Sequence, residues 1–271
     1  MENGYIQLIP REIREANWPR ARFLNEAEQA QYGEAVKGFN LERARQSLNV
    51  SQNGSNLFKV ILLNQIGIRT ANIPQLYDIW EQDGDFLSGH YEDVASVALR
   101  SSGDSQSQND LPAKKLAKSI KKRNIKHTYV LNGLELKEDK DSDYGLVLVP
   151  GDNFEYFEAP ELDHTNNQRK FSKVDERGIP IFDDNGDKTL YTREGGLSRL
   201  YVDADSDLYS DNRDLSNSDS GGRVVVVDAE GVVPKNLESY IANLETERVK
   251  QEAELKNRYA TAMNLLKGNK R

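Results

Sequence analysis

The sequence predicts an α+β domain with helical extensions at both ends, and three observations carry that expectation. From Arg199 to Ser210, apolar or small residues (Leu200, Val202, Ala204, Ser206, Leu208) alternate with Arg199, Tyr201, Asp203, Asp205, Asp207 and Tyr209. Such alternation marks a strand with one face buried and one in water. Val224 to Val227 form an unbroken apolar run, which fits a strand covered on both faces. Ile73, Leu76, Tyr77, Ile79 and Trp80 recur at helical spacing around Pro74. Proline suits a first helical turn because the N–H it lacks has no partner there.

In chain order, residues 11–48 are polar and helix-prone. Ala16, Phe23, Leu24, Ala27, Ala30, Ala35 and Val36 lie at roughly helical spacing, interrupted by Gly33 and Gly38. Two short helices with a weak core face are expected, making residues 1–49 an N-terminal extension. Asn49 to Asn56 is a Ser/Asn/Gly linker, and the domain is expected to occupy residues 50–233. Phe58 to Gly67 reads as either a strand or a buried helix. Tyr91–Leu99 is a further short element, Ser101–Asp110 a polar linker, and Leu111–Lys126 a helix. That helix carries a basic face of Lys114, Lys115, Lys118, Lys121 and Lys122.

Strands are expected at residues 129–136, 144–150 and 154–157, separated by Asp-, Gly- and Lys-rich turns. Residues 161–195 read as a long surface excursion, with turns at Arg177-Gly178 and Asp184-Asn185-Gly186 and a closing strand at 189–192. After Asp228, Val233-Pro234 precedes a helix from 235 to 266, so residues 234–271 form a C-terminal helical extension. Leu237, Ile241, Leu244, Leu255, Tyr259 and Ala262 make part of a stripe that Arg248 and Gln251 interrupt, which does not support a strict coiled coil. The terminal helices lie against the protein's own surface or serve oligomerisation or attachment to a carrier.

A chain of 271 residues can bury a real core. Its net charge of −8 argues against nucleic acid as a partner of the chain as a whole. With no cysteine there are no disulfides, thiol nucleophiles or cysteine metal sites. Residues 1–30 lack the pattern of a signal peptide, and no apolar stretch approaches a membrane span. A cytoplasmic or virion-associated protein is the default expectation. His90, His127 and His164 stand far apart in dissimilar contexts, and no phosphate loop, nucleophile elbow or HExxH is present. Neither catalysis nor a cofactor is expected.

Asp203, Asp205, Asp207, Tyr209, Asp211 and Asp214 fall at the ligand spacing of an EF-hand-like calcium loop. Leu208 stands where glycine makes the turn, Asp214 replaces the bidentate glutamate, and no helices flank the loop. No metal site is therefore expected. The acidic turn from Asp183 to Asp187 reads as a hairpin turn instead of a metal site.

The polar side of the alternating segment, and the loop up to Ser220, draw almost wholly on Tyr, Asp, Asn, Ser and Arg. Adaptable binding loops use that alphabet, because tyrosine gives rigid amphipathic area and short polar groups adjust their hydrogen bonds. The same residues, with glycine, are related to an Asn codon by changes at its adenines. Leu200, Val202, Ala204, Leu208 and Leu215 are the main interruptions. The block from Gly195 to Asp228 resembles the variable proteins of diversity-generating retroelements, found in phages, bacteria and archaea. The resemblance rests on residues 195–228, with weaker support from 57–194, and does not extend to the terminal helices.

In that family a reverse transcriptase rewrites adenine positions near the 3′ end of the gene. The rewritten residues sit on the binding face of a C-type-lectin-like fold. The resemblance implies that fold for residues 50–233, with a variable ligand-binding region at 197–222. It implies a binding face of Arg199, Tyr201, Asp203, Asp205, Asp207 and Tyr209. The following loop would add Asp211, Asn212, Arg213, Asp214, Asn217, Asp219 and Ser220. Tyr201 and Tyr209 are the expected anchors, and Arg199 or Arg213 the charged contacts. Trp18 and Trp80 are the only tryptophans, fewer than such cores often hold.

The implied function is non-catalytic recognition of a protein or surface ligand, which the aspartates suggest is basic or hydroxyl-rich. Substitution at Tyr201, Asp203 or Asp205 is expected to cost little stability, whereas aspartate at Leu200, Leu208 or Leu215 would bury an unpaired charge. The alternative is a virion or surface structural protein with an adhesive acidic loop open to calcium.

Overall fold

Side chains that alternate along the sequence do so because they line opposite faces of one twisted sheet. A computed structural model describes residues 21–50, 54–122, 124–218 and 220–227. The part of the expected helical stretch 11–48 that precedes residue 21, and the expected helix from 235 to 266, lie outside the described residues, as does Asp219. The architecture is mixed α+β. Its elements are β1 (Ala21–Phe23), α1 (Glu26–Lys37), α2 (Glu42–Ser47), α3 (Leu57–Gln65), α4 (Ile73–Gln82) and α5 (Gly84–Leu87). They continue with β2 (Glu92–Leu99), α6 (Ser107–Ser119), β3 (Tyr129–Glu138) and β4 (Leu146–Glu158). After two single-turn helices, at Pro160–Leu162 and His164–Asn166, come β5 (Lys170–Val174), β6 (Pro180–Phe182) and β7 (Lys188–Thr192). The last three are β8 (Leu197–Val202), β9 (Leu208–Ser210) and β10 (Val225–Val227).

Eight strands form one sheet in the order β4-β3-β2-β8-β9-β7-β5-β6, and β1 pairs with β10 in a separate antiparallel ribbon. Within the large sheet the pairs are antiparallel except β7 and β9, which run parallel. Val97, Leu99, Leu131 and Leu197 face one core, shared with α3 and α6. Val94, Ala98, Val130, Leu190, Leu200, Val202 and Leu208 face a second core, shared with α4. The valine run serves both, with Val224 and Val226 in the first and Val225 and Val227 in the second.

Local signals explain the helices. Phe58 to Gln65 belongs to helix α3, capped by Asn56, whose side chain accepts from the Lys59 amide at 2.7 Å. The run shows no alternation because Leu57 to Leu63 are all buried. In α4, Asn72 and Gln75 form a reciprocal capping box, each side chain accepting the other's backbone N–H at 3.0 Å. No helix among the described residues is long and apolar enough to cross a membrane.

Several expectations are corrected. The folded unit that contains every described residue runs from Pro19 to Ala229, so it does not begin at residue 50. Leu24, Tyr32, Ala44 and Leu48 are buried in its first core, and the Tyr32 hydroxyl donates to the Leu48 carbonyl at 2.6 Å. A sparse apolar face therefore docks fully where it had suggested an appendage. Residues 161–195 are not a surface excursion, since they supply β5, β6 and β7, and Leu162, Phe171 and Leu190 are core residues. The turn from Asp183 to Asp187 is not a hairpin, because β6 and β7 each pair with β5 on opposite sides. The two short strands expected between 144 and 157 are one strand, β4, with a register shift opposite Asn132 and Leu134. Helix α6 starts at Ser107, inside the expected linker, and ends before Lys121, whose φ of 57° is left-handed.

Burial of Glu92 on β2 carries a cost that depends on pH. Glu92 is 1% exposed, and among the described residues neither carboxyl oxygen has a hydrogen-bond partner. Burial, reinforced by Asp93, pushes its carboxyl up to about 9. Between its ordinary value near 4.5 and about 9, the unfolded chain releases a proton that the folded chain keeps. Stability at this position is therefore present below pH ~4.5 and lost as pH rises towards ~9. Glu92→Gln removes that loss. Urea unfolding should show the variant gaining about 2–4 kcal/mol on the parent between pH 4.5 and 8. A pH-independent difference would contradict the assignment.

Candidate functional site

The expected single strand from Arg199 to Ser210 is instead a hairpin. Strand β8 ends at Val202 and β9 begins at Leu208. Between them the Asp203 carboxylate accepts the backbone N–H groups of Asp205 and Asp207, each at 3.0 Å. Ser206 adopts a left-handed φ of 64°, and its carbonyl accepts from the Tyr77 hydroxyl at 3.0 Å. The Asp207 carboxylate accepts from the Thr189 amide. Asp203 and Asp207 thus build the turn, which corrects the expectation that Asp203 is freely replaceable. Ala204 and Ser206, assigned to the buried side, sit half-buried in it. The apolar period survives because Leu200, Val202 and Leu208 return to the same core.

The other face of these strands carries a row of tyrosines. Register places Tyr191 of β7 opposite Tyr209 of β9, and Tyr209 opposite Tyr201 of β8. The Tyr191 and Tyr209 rings stack at 4.5 Å and 19°, and the Tyr209 and Tyr201 rings at 4.9 Å and 13°. Tyr91 meets Tyr201 edge-on at 5.6 Å. With a ring against each of its faces, Tyr209 has only its edge and hydroxyl left to present. Burial raises the Tyr201 and Tyr209 phenols above their ordinary range, so both stay neutral at physiological pH.

The rack is held from behind by a side chain that the sequence did not single out. Arg100 donates to the Ser198 hydroxyl at 2.7 Å, the Thr192 hydroxyl at 2.8 Å and the Ser210 hydroxyl. It also reaches the Leu162 carbonyl at 3.1 Å and 3.3 Å. One buried guanidinium thereby ties together the three strands that bear Tyr191, Tyr201 and Tyr209. Gly196 sits just before β8 with a φ of 79°, and a Cβ there would lie 2.1 Å from the Asp104 carboxylate. Asp104 is itself engaged by the Leu197 amide at 2.7 Å and by Arg193 at 2.9 Å.

Arg199 does not stand on the binding face, which corrects its expected role as a charged contact. It is 2% exposed, and its guanidinium donates to both Asp93 oxygens at 2.9 Å and 3.0 Å. It also lies over the Tyr201 ring at 4.6 Å. Asp93 in turn accepts from the Ser55 hydroxyl at 3.0 Å. In the alternating pattern Arg199 counts as polar, yet in this part of β8 both sheet faces are covered.

Beyond β9, the loop is organised by its own short side chains and anchored from outside. Asn212 accepts from the Asp214 amide at 2.9 Å, and Asp214 accepts from the Ser216 amide at 3.2 Å. Leu215 is fully buried in the first core. Three side chains from elsewhere hold loop carbonyls. Asn109 donates to Arg213 O at 2.6 Å, Asn56 to Ser216 O at 3.3 Å, and Arg199 to Asn217 O at 3.3 Å. Asn109 is a hub, also donating to Leu197 O at 3.2 Å and accepting from the Tyr144 hydroxyl at 2.8 Å. Sequence reasoning missed Asn56, Asp93, Arg100, Asp104 and Asn109, because polar residues that end up buried carry no periodic signature. Tyr191 was missed as well, although it stands next to Leu190 in the expected strand at 189–192.

Among the remaining site residues, Asp205, Arg213, Asn217 and Ser220 are exposed. Tyr201, Asp203, Asp207, Tyr209, Asp211, Asn212 and Asp214 are half-buried around the rack. Burial raises the carboxyls of Asp203 and Asp211. The acidic residues do not converge on a point, since Asp203, Asp207 and Asp214 turn towards backbone amides. No group of three or more His, Asp or Glu side chains poised for a metal ion occurs among the described residues. The histidines also stay apart. His90 lies against Gly221 O, His127 pairs with Asp163 at 2.7 Å, and His164 lies against Thr192 O. On α6, Lys114 pairs with Asp110 and Lys115 with Asp139. No protein-family model, curated protein or solved structure matches this chain.

Proposed function

We propose that this chain is a non-catalytic ligand-recognition protein whose binding face is the tyrosine rack with the rim from Asp203 to Ser220. A C-type-lectin-like architecture, and diversification of the rim by adenine-directed mutagenesis from a retroelement, belong to the same proposal. One observation carries it. The loop after β9 is held by side chains outside it, by Leu215 and by its own Asn212 and Asp214, while Arg213, Asn217 and Ser220, and Asp205 in the turn before β9, project into solvent. A surface can then change its chemistry without losing its backbone, which is what changeable recognition requires. Surface side chains away from such anchors usually alter stability by no more than about 0.5 kcal/mol.

The test is selection. A library randomised at Asp205, Tyr209, Asp211, Arg213, Asn217 and Ser220, displayed and panned against unrelated proteins, should yield folded binders with altered rims. A library that is mostly unfolded, or that gives no binders, overturns the reading. Sequencing the locus tests the diversification separately. A near-identical repeat differing only at template adenines is expected, and its absence removes that part of the proposal.

A further inference from the structure

We propose that the partner suited to the present rim is a lysine- or arginine-rich protein segment laid across the tyrosine rack; this rests on the recognition reading above. The charge balance of the face is the first support. Asp203 and Asp207 act on Tyr209 and Asp211 on Tyr201, Asp205 and Asp214 add acidic charge along the same segment, and Arg213 is its exposed cation. The three other guanidinium groups that act on Asp211 are drawn inward, Arg199 onto Asp93, Arg193 onto Asp104, and Arg100 onto the Ser198 and Thr192 hydroxyls and the Leu162 carbonyl. The rim is left acidic by construction.

The form of the rack decides between ligand classes. Sugar rings stack on open aromatic faces, but both faces of Tyr209 are covered, by Tyr191 and Tyr201. What remains of Tyr209, and of Tyr201 with Arg199 and Tyr91 against it, is a neutral phenol edge. A phenol oxygen accepts from an ammonium or guanidinium group, and a neighbouring carboxylate makes that hydrogen bond charge-assisted. Phosphate-bearing ligands are repelled by the same carboxylates. A single metal ion is also disfavoured, because the carboxylates are strung from 203 to 214 and several of their oxygens hold backbone amides. Charges spread along a line fit a cationic chain. Asp211 and Asp203 are half-buried, and an approaching cation offsets the cost of that burial.

The experiment uses the full chain and labelled decapeptides that alternate serine with lysine, asparagine or glutamate, read by fluorescence anisotropy. The lysine peptide should bind at least tenfold more tightly than the asparagine peptide, and more weakly at high salt. D205N/D211N/D214N should lower that affinity about tenfold, as should Y201F/Y209F, which keeps the charge and removes the phenol oxygens. D141N/D143N/D152N removes three exposed carboxylates elsewhere and should leave affinity unchanged. Equal weakening by both aspartate triples, or lysine binding no tighter than asparagine binding, overturns the inference. Preference for the glutamate peptide overturns it too, while leaving the recognition reading intact. If no peptide binds and the randomised library also yields nothing, both fall.

Discussion

Arg199→Met should destabilise the domain by about 3–5 kcal/mol, the largest loss expected from any position on the alternating segment. The substitution strips the buried Asp93 carboxyl of the guanidinium from which both its oxygens accept. It also removes the donor to Asn217 O and the cation above Tyr201. Domain stabilities commonly lie between about 5 and 15 kcal/mol, so such a loss approaches unfolding for an ordinary domain. Pairing it with Asp93→Leu should recover much of the deficit, because replacing both buried charges with apolar groups removes the uncompensated one. Urea unfolding of the two single variants and the double variant measures this directly. A loss below about 1 kcal/mol for Arg199→Met would return Arg199 to the list of interchangeable rim residues.

Leu215→Ala is expected to cost about 2–4 kcal/mol, through lost burial and an incompletely filled cavity. Its environment is the first core, reached from a loop that is otherwise polar. The flanking exposed positions give the contrast. Arg213→Ala and Asn217→Ala should each stay within about 0.5 kcal/mol, since their backbone carbonyls keep the donors Asn109 and Arg199 whatever side chain they carry. Thermal unfolding of the three variants side by side separates anchor from display. Equal effects at all three positions would mean the loop is not built from an anchor and free side chains.

The same contrast explains how much the sequence revealed. Period-two and period-3.6 patterns located Leu200, Val202, Leu208, the valine run and helix α4, because burial of one face imposes a repeat on the chain. The patterns failed where burial is two-sided or polar. Arg199 occupies a polar slot in the alternation, yet it lies between the sheet and the structure above it. Asp203 reads as a displayed acid, although its carboxylate closes the turn that splits one apparent strand into β8 and β9. Residues 161–195 looked like surface because their strands are short and their turns rich in Asp and Gly, and only tertiary pairing with β5 and β9 shows Phe171 and Leu190 inside. Arg100 and Asn109 were invisible for a related reason. Their value lies in hydroxyls and carbonyls supplied by distant strands, which no local pattern encodes.

Thermal unfolding of one variant, with Asp205, Asp211, Arg213, Asn217 and Ser220 all changed to alanine, probes the separation of display from scaffold in a single curve. A melting temperature within about 5 °C of the parent is predicted, given small surface effects and a few degrees per kcal/mol for a domain of this size. A fall of about 10 °C or more, comparable to that of Arg199→Met, would mean that the rim holds the fold together and is not free to change its specificity.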